Sequence, residues 1–222
     1  MKISIWRLVA ACCVVGIVSG CAVKSAEFAG SPAQRQAQLE ALTAFSFAGG
    51  LGIWSDEQSL SARIRWRQDG NNLDIRLSGP LGIGNMTLAG NADGAILSRA
   101  STVISEGREI DVVVQQGLGL AAPVPITQLR RWVRGLAGDS ESVVRDTQGK
   151  ISSLRYIDTQ GTSWNARFLK YKAVDDAVLP SLITAIGGPY TVRLVLRDWQ
   201  LSDVAVVPDP KQSNTRLAIP TR

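Results

Sequence analysis

Between residues 60 and 67 the chain alternates apolar and polar positions without a break. Leu60, Ala62, Ile64 and Trp66 fall on one side of an extended backbone, and Ser61, Arg63, Arg65 and Arg67 on the other. A two-residue period of this quality predicts a half-buried antiparallel strand. Asp69-Gly70 supplies a turn, after which Leu73, Ile75 and Leu77 alternate with Asp74, Arg76 and Ser78 in the next strand. Met86 and Leu88 continue the meander, and Asn91-Ala92-Asp93-Gly94 turns it into Ala95-Ile96-Leu97.

The rhythm breaks over 110–136. There the spacing predicts two short helices, Ile110 to Leu118 and Ile126 to Leu136, separated by Pro123-Val124-Pro125. The second carries Leu129, Trp132, Val133 and Leu136 on its apolar side, with Thr127 or a neighbour as its cap. Strands resume at Val143-Val144-Arg145, Ile151 to Ile157 and Trp164 to Tyr171. A closing run alternates Val192, Leu194 and Leu196 with Arg193 and Arg197. Upstream, Ser31-Pro32 reads as the N-cap and first residue of a helix ending near Leu42. Roughly ten strands with a helical insertion predict a mainly β domain, a curved antiparallel sheet rather than a doubly wound fold.

The first twenty residues belong to a different class. Lys2 and Arg7 precede an apolar run from Leu8 to Val18, followed by small residues, which is the layout of a secretory signal. The run is shorter than the ~20 residues needed to span a bilayer. Val18-Ser19-Gly20-Cys21 fits the bacterial lipobox, so residues 1–20 are expected to be cleaved and Cys21 to carry diacylglycerol. Ala22, rather than an aspartate, is compatible with passage to the outer membrane. Residues 21–30 then form a lipidated tether, 31–203 the folded domain, and 204–222, with Pro208, Pro210 and Pro220, a disordered tail.

Composition narrows the chemistry. The net charge of +5 falls to +3 once Lys2 and Arg7 leave, and the remaining basic residues form no stripe for nucleic acid. The chain holds no histidine, which removes the commonest general base and catalytic zinc ligand. Cys12 and Cys13 leave with the signal, so the mature chain has no second cysteine for a disulfide or thiolate site. No cofactor is expected. The acid pairs Asp56-Glu57 and Asp175-Asp176 sit in expected turns, where solvated carboxylates are routine. Gly49-Gly50 and Gly117-Leu118-Gly119 lack the spacing of a phosphate loop and read as a strand bend and a helix ending.

Two features leave alternatives open. Gly79-Pro80-Leu81-Gly82-Ile83-Gly84 places two large aliphatics in a loop without an acid or amide. Either Leu81 and Ile83 fold back into the core, or they form an apolar tip; a leucine kept in water forgoes ~1.5–3 kcal/mol. Trp54, Trp66, Trp132, Trp164 and Trp199 either build a solid core or line a cavity between a curved sheet and its helices.

The order of Pro80-Leu81-Gly82, Pro123-Val124-Pro125 and Leu129-Arg130-Arg131-Trp132-Val133-Arg134-Gly135-Leu136-Ala137-Gly138-Asp139 resembles the outer-membrane lipoprotein receptor family, LolB. Trp164 through Tyr171, Leu179-Pro180, Arg197-Asp198-Trp199 and the lipobox share the resemblance. Ala137 stands where proline is frequent, and Ala48-Gly49-Gly50 lacks an arginine expected at the first strand.

The resemblance implies an unclosed antiparallel barrel of about ten to eleven strands, with a helical lid enclosing an apolar cavity. It implies a non-enzymatic monomer at the outer membrane, lipid-anchored and facing the periplasm. Such a protein accepts triacylated lipoproteins from a soluble periplasmic carrier and inserts them into the inner leaflet. Leu81, flanked by Pro80 and Gly82, is the implied insertion tip. Ile64, Trp66, Ile75 and Leu77 on the sheet, with Leu129, Trp132 and Val133 on the lid, are the candidate cavity lining. Two other classes stay open: a structural lipoprotein scaffolding an outer-membrane assembly, with a filled interior, and a periplasmic hydrolase, with two convergent acids in a cleft.

Cys21→Ala is expected to abolish lipidation without unfolding the domain, because the tether lies outside the core. Mass spectrometry of the protein from its host checks this; a free thiol at Cys21 in the wild type would remove the anchor.

Overall fold

The alternating segments pair into a single antiparallel sheet. The computed structural model describes residues 30–79 and 85–201. Cys21, the signal, Pro80-Leu81-Gly82 and the 204–222 tail lie outside the described residues. Helix α1 (Pro32–Ala41) precedes β1 (Ala44–Trp54), β2 (Ser59–Asp69), β3 (Asn72–Ser78), β4 (Asn85–Gly90), β5 (Ala95–Arg99) and β6 (Thr102–Gly107). Helices α2 (Ile110–Leu118) and α3 (Ile126–Trp132) follow. Then come β7 (Ser142–Arg145), β8 (Ile151–Ile157), β9 (Ser163–Val174), β10 (Ala177–Gly187) and β11 (Tyr190–Gln200).

The order across the sheet is β6-β5-β4-β3-β2-β1-β11-β10-β9-β8-β7. The first and last strands therefore meet in the middle, and β6 and β7 are the two edges. The edges do not pair, so the sheet is an unclosed barrel. Because β6 and β7 are consecutive in the chain, the one long connection runs from edge to edge and carries α2 and α3.

Periodicity marks neither β6 nor β10. The edge strand β6 has little inward face, with four of its six positions exposed. In β10 all but a few positions are buried, so a nearly continuous apolar run hides the period of two. Pro180 also sits inside β10, at a register shift against β9 that spares a ladder hydrogen bond. Strand β1 is rich in glycine, and at Gly49 a Cβ would overlap the Val195 carbonyl of β11. The central seam thus needs glycine where β1 and β11 approach.

Inward faces merge into one core. Register sets Phe47 opposite Trp66 on β2, and their rings stack with centroids 5.6 Å apart. Trp199 packs on Phe47 at 4.9 Å. The outward face at the same strands is the arginine series of β2, all exposed.

Helix α1 begins with the expected cap. Gln34 N–H donates to Ser31 Oγ at 3.2 Å, and Ser31 N–H to Gln34 Oε1 at 2.8 Å, a reciprocal capping box. Its other end is held by Arg134, only 9% exposed, whose guanidinium donates to the Leu42 carbonyl at 2.9 Å. Arg134 Nε also donates to the Arg130 carbonyl at 3.3 Å. Burial lowers the Arg134 pKa from its usual value.

Helix α3 stops at Trp132 and not at Leu136. Gly135 has φ of 77°, and Leu136 N–H donates back to the Arg131 carbonyl at 3.1 Å. This left-handed residue closes the helix and aims the chain toward β7. The Trp-Val-Arg-Gly-Leu motif is therefore a helix ending whose arginine ties α3 to α1.

Arg134→Ala is expected to cost about 2–4 kcal/mol, since it strips buried carbonyls of their donor. Chemical denaturation checks it. Arg76→Ala, which breaks only the exposed 3.1 Å pair with Asp74, should shift the melting temperature by no more than about 1 °C.

Candidate functional site

The concave face and the crossover enclose a small apolar cavity of about 50 Å³. Leu51 and Ile53 of β1, Ile64 and Trp66 of β2, Ile75 and Leu77 of β3, and Met86 and Leu88 of β4 form its floor with Leu97, Val192 and Leu194. Val114 and Leu118 of α2, Val124 of the link, and Ile126 and Leu129 of α3 form its roof. The parity of the meander places these residues: on β1, register opposite β2 sends Leu51 and Ile53 inward with Ala62 and Leu60.

Five of the seven lining residues read from the sequence converge here: Ile64, Trp66, Ile75, Leu77 and Leu129. Trp132 and Val133 do not line the cavity. Both are fully buried, but α3 ends at this point and turns them toward the β8 half of the sheet. Trp132 Nε1 donates to Glu141 Oε1 at 2.9 Å, and its ring meets Tyr156 edge-on at 6.3 Å. Met86, Leu88, Val192 and Leu194 carried the same alternation as the residues that were named. Val114 and Leu118 carried an i, i+4 signal.

At about 50 Å³ the cavity is a third of the ~150 Å³ that accommodates benzene in an apolar protein interior. The space as it stands is smaller than an acyl chain. Hydrogen bonds run within the roof and from it to the surrounding strands and turns, including those of Arg130 to the Gly70 and Asn71 carbonyls at 3.2 and 3.1 Å. Ala121 N–H donates to Tyr190 Oη of β11 at 2.7 Å, and Gln58 Nε2 donates to the Gly119 carbonyl at 3.3 Å. Thr127 N–H donates to Asp111 Oδ1 at 3.0 Å.

Asp111, not Thr127, is thus the acceptor at the start of α3, whose N-cap position is Pro125. Burial pushes the Asp111 carboxyl above its ordinary pKa, while the hydrogen bonds from Thr127 pull the other way.

The acid pairs lie apart in turns, Asp56-Glu57 between β1 and β2 and Asp175-Asp176 between β9 and β10. The acids that do approach one another are Asp111 and Asp158. Asp158 Oδ1 accepts from Gln160 and Thr162 N–H, and Oδ2 from Trp164 Nε1, so it is committed to the β8–β9 turn. Among the described residues no group of three or more Cys, Asp or Glu is placed to hold a metal ion.

A raised folded-state pKa means that the native protein binds the Asp111 proton more tightly than the unfolded chain does. That contribution is present in acid and is lost as pH rises through the folded-state value. Asp111→Asn keeps an acceptor for Thr127 and cannot ionise. The expected outcome is a variant that gains stability relative to wild type as pH rises from about 4 to 7. Melting temperatures across that range check it, and a constant difference would show that Asp111 does not titrate there.

Residues 43–199 match the family model described as outer membrane lipoprotein LolB. The outer-membrane lipoprotein LolB of Stutzerimonas stutzeri is 31% identical over 197 residues, covering 85% of this chain and 92% of that protein. Its namesake in Pseudomonas syringae is 32% identical, covering 84% and 92%. The one in Pseudomonas fluorescens is 34% identical over the same shares. Among solved structures, a LolA superfamily protein from Nitrosomonas europaea aligns over 79% of this chain and 96% of its own, with a TM-score of 0.50 at 12% identity. A DUF1329 family protein from Desulfovibrio piger aligns over 79% and 92%, with a TM-score of 0.52 at 10% identity. These two likenesses concern the fold. With a family model spanning most of the chain and relatives above 30% identity over nearly all of their length, the chain belongs to the outer-membrane lipoprotein LolB family.

Proposed function

We propose that this protein is the outer-membrane receptor that accepts lipoproteins from a soluble periplasmic carrier and inserts them into the inner leaflet. The observation that carries this reading is the wholly apolar cavity between the concave sheet and its helical roof. An acyl chain gains from leaving water at about 25 cal/mol per Å² of surface buried, and such a wall offers it no polar competitor. No bond is made or broken in the process. Transfer runs down a free-energy gradient from carrier to receptor to bilayer, and each ~1.4 kcal/mol step shifts the equilibrium tenfold.

In this reading Cys21 carries the lipid that holds the receptor at its destination, and Leu81, between Pro80 and Gly82, is the membrane-insertion tip. The protein works as a monomer facing the periplasm. A structural lipoprotein is the second reading. It is favoured by the small closed volume, because a scaffold needs no interior space.

A fluorescent fatty acid separates the two. The expected result is binding by wild type, displacement by a triacylated lipoprotein, and at least a tenfold loss in Leu129→Asp, where an unpaired charge enters the roof. Absence of binding by a folded wild type would favour the scaffold. Leu81→Glu is expected to leave melting and probe binding intact and to slow incorporation of cargo into liposomes. A large drop in melting temperature, or unchanged incorporation, would show that Leu81 is not an insertion tip.

A further inference from the structure

On the solvent side of the roof lies a second space, a polar cleft of about 510 Å³. Its walls are the β4–β5 turn, the start of α2, the 123–130 segment and the β8–β9 turn. It therefore bridges the two halves of the open sheet. The cleft and the apolar cavity share one wall, a single backbone thick. Along the link, Pro123 and Pro125 face the cleft, while Val124 and Ile126 face the cavity. Pro123 and Pro125 have no N–H to donate, and Ile126 N–H bonds only locally, to the Val124 carbonyl at 2.8 Å. Displacing this link joins a polar chamber to an apolar one.

We infer that the cleft is a binding site for the polar head of a triacylated polypeptide, the glyceryl-cysteinyl unit and the first peptide residues, while the acyl chains occupy the cavity. The inference rests on the acyl-binding reading above and adds the subsite that would select lipoproteins over other lipids.

The chemistry of the walls argues for an uncharged head. Of the charged groups, Asp158 is used by the turn and by Trp164, and Asp111 accepts from Thr127. Arg130 donates to the Gly70 and Asn71 carbonyls at 3.2 and 3.1 Å. Arg108 and Glu109 remain, adjacent and opposite in sign, so a phosphate would meet both. The groups left to bond a ligand include the side chains of Asn91, Gln128, Tyr156, Thr159 and Gln160, uncharged groups that donate and accept. Such groups match the amides of a peptide and the esters and thioether of a glyceryl-cysteine. A phospholipid carries the same chains on an anionic phosphate, for which this cleft has no dedicated donor set.

The test uses the mature, lipidated chain and three ligands: palmitate, dipalmitoyl phosphatidylglycerol and a tripalmitoyl-glyceryl-cysteinyl peptide. Wild type is expected to bind the cysteinyl peptide about tenfold more tightly than phosphatidylglycerol. The double variant Gln128→Ala/Gln160→Ala should lose that preference and keep its affinity for palmitate. Thr159→Trp, which narrows the cleft at a residue that does not line the cavity, should give the same pattern. Equal losses for all three ligands, or unchanged preference in both variants, would overturn the inference. A wild type that binds none of the three would overturn the acyl-binding reading itself, and one that binds palmitate without preferring the cysteinyl peptide would overturn only the head site.

Discussion

The pairing of β1 with β11 governs the rest of the molecule. Joining the first and last strands at the centre of the sheet leaves β6 and β7 as edges that are neighbours in sequence but not in space. The chain between them must cross the open side of the curve. Together with α1, whose Leu39 is buried in the core, that crossover covers the inward face, and the apolar rows of six strands, β1 to β5 and β11, depend on it for burial. Its composition follows: Val114, Leu118, Val124, Ile126 and Leu129 meet the sheet, while polar residues meet water. The seam itself depends on Gly49, where β11 leaves no room for a side chain. A cavity between sheet and roof is what results when a curved surface is covered by two short helices rather than by a second sheet.

Much of this was legible because period-two patterning survives wherever one face of a strand is wet. From β2 to β5 the inward residues were readable one by one, and α1 and α2 were bounded by their caps and apolar spacing. The pattern failed where both faces are buried, in β10, and where an edge has little buried face, in β6. Pattern also shows which residues are apolar but not the direction a helix ending gives them. Trp132 and Val133 follow Leu129 on the same stripe, yet Gly135 ends α3 early and the indole finds Glu141 instead of the cavity. The cap of α3 was unreadable for a related reason. Asp111 lies sixteen positions before Thr127 and reaches it only because α2 and α3 pack together. No local rule spans that distance.

The Trp-Val-Arg-Gly-Leu segment shows how a family's most specific motif need not touch its ligand. Each residue has a packing reason: Trp132 for Glu141, Arg134 for the end of α1, Gly135 for the left-handed turn, Leu136 for the core. The motif fixes the far end of the roof to the body of the protein. The near end runs from Gly119 to Ile126, and its residues 123–126 separate the cavity from the cleft.

The strength of that near end sets what the receptor can hold. Two hydrogen bonds join it to the surrounding strands and turns, Ala121 to Tyr190 and Gln58 to Gly119, and Val124 and Ile126 bury their side chains against the cavity. At a net contribution of about 1 kcal/mol each the two bonds count for less than the burial, which is worth about 1.5–3 kcal/mol for each aliphatic side chain fully covered, so apolar packing rather than hydrogen bonding holds the roof in place. A guest that must displace the roof to enter binds with its affinity reduced by the cost of that displacement, so a single acyl chain that merely fills the space is held weakly. A guest with several chains and a head that satisfies the cleft recovers the loss from both chambers at once. In the proposed function a roof held mainly by apolar packing discriminates by the number of simultaneous contacts, and a bilayer that offers the chains a better alternative than the cavity draws the guest out.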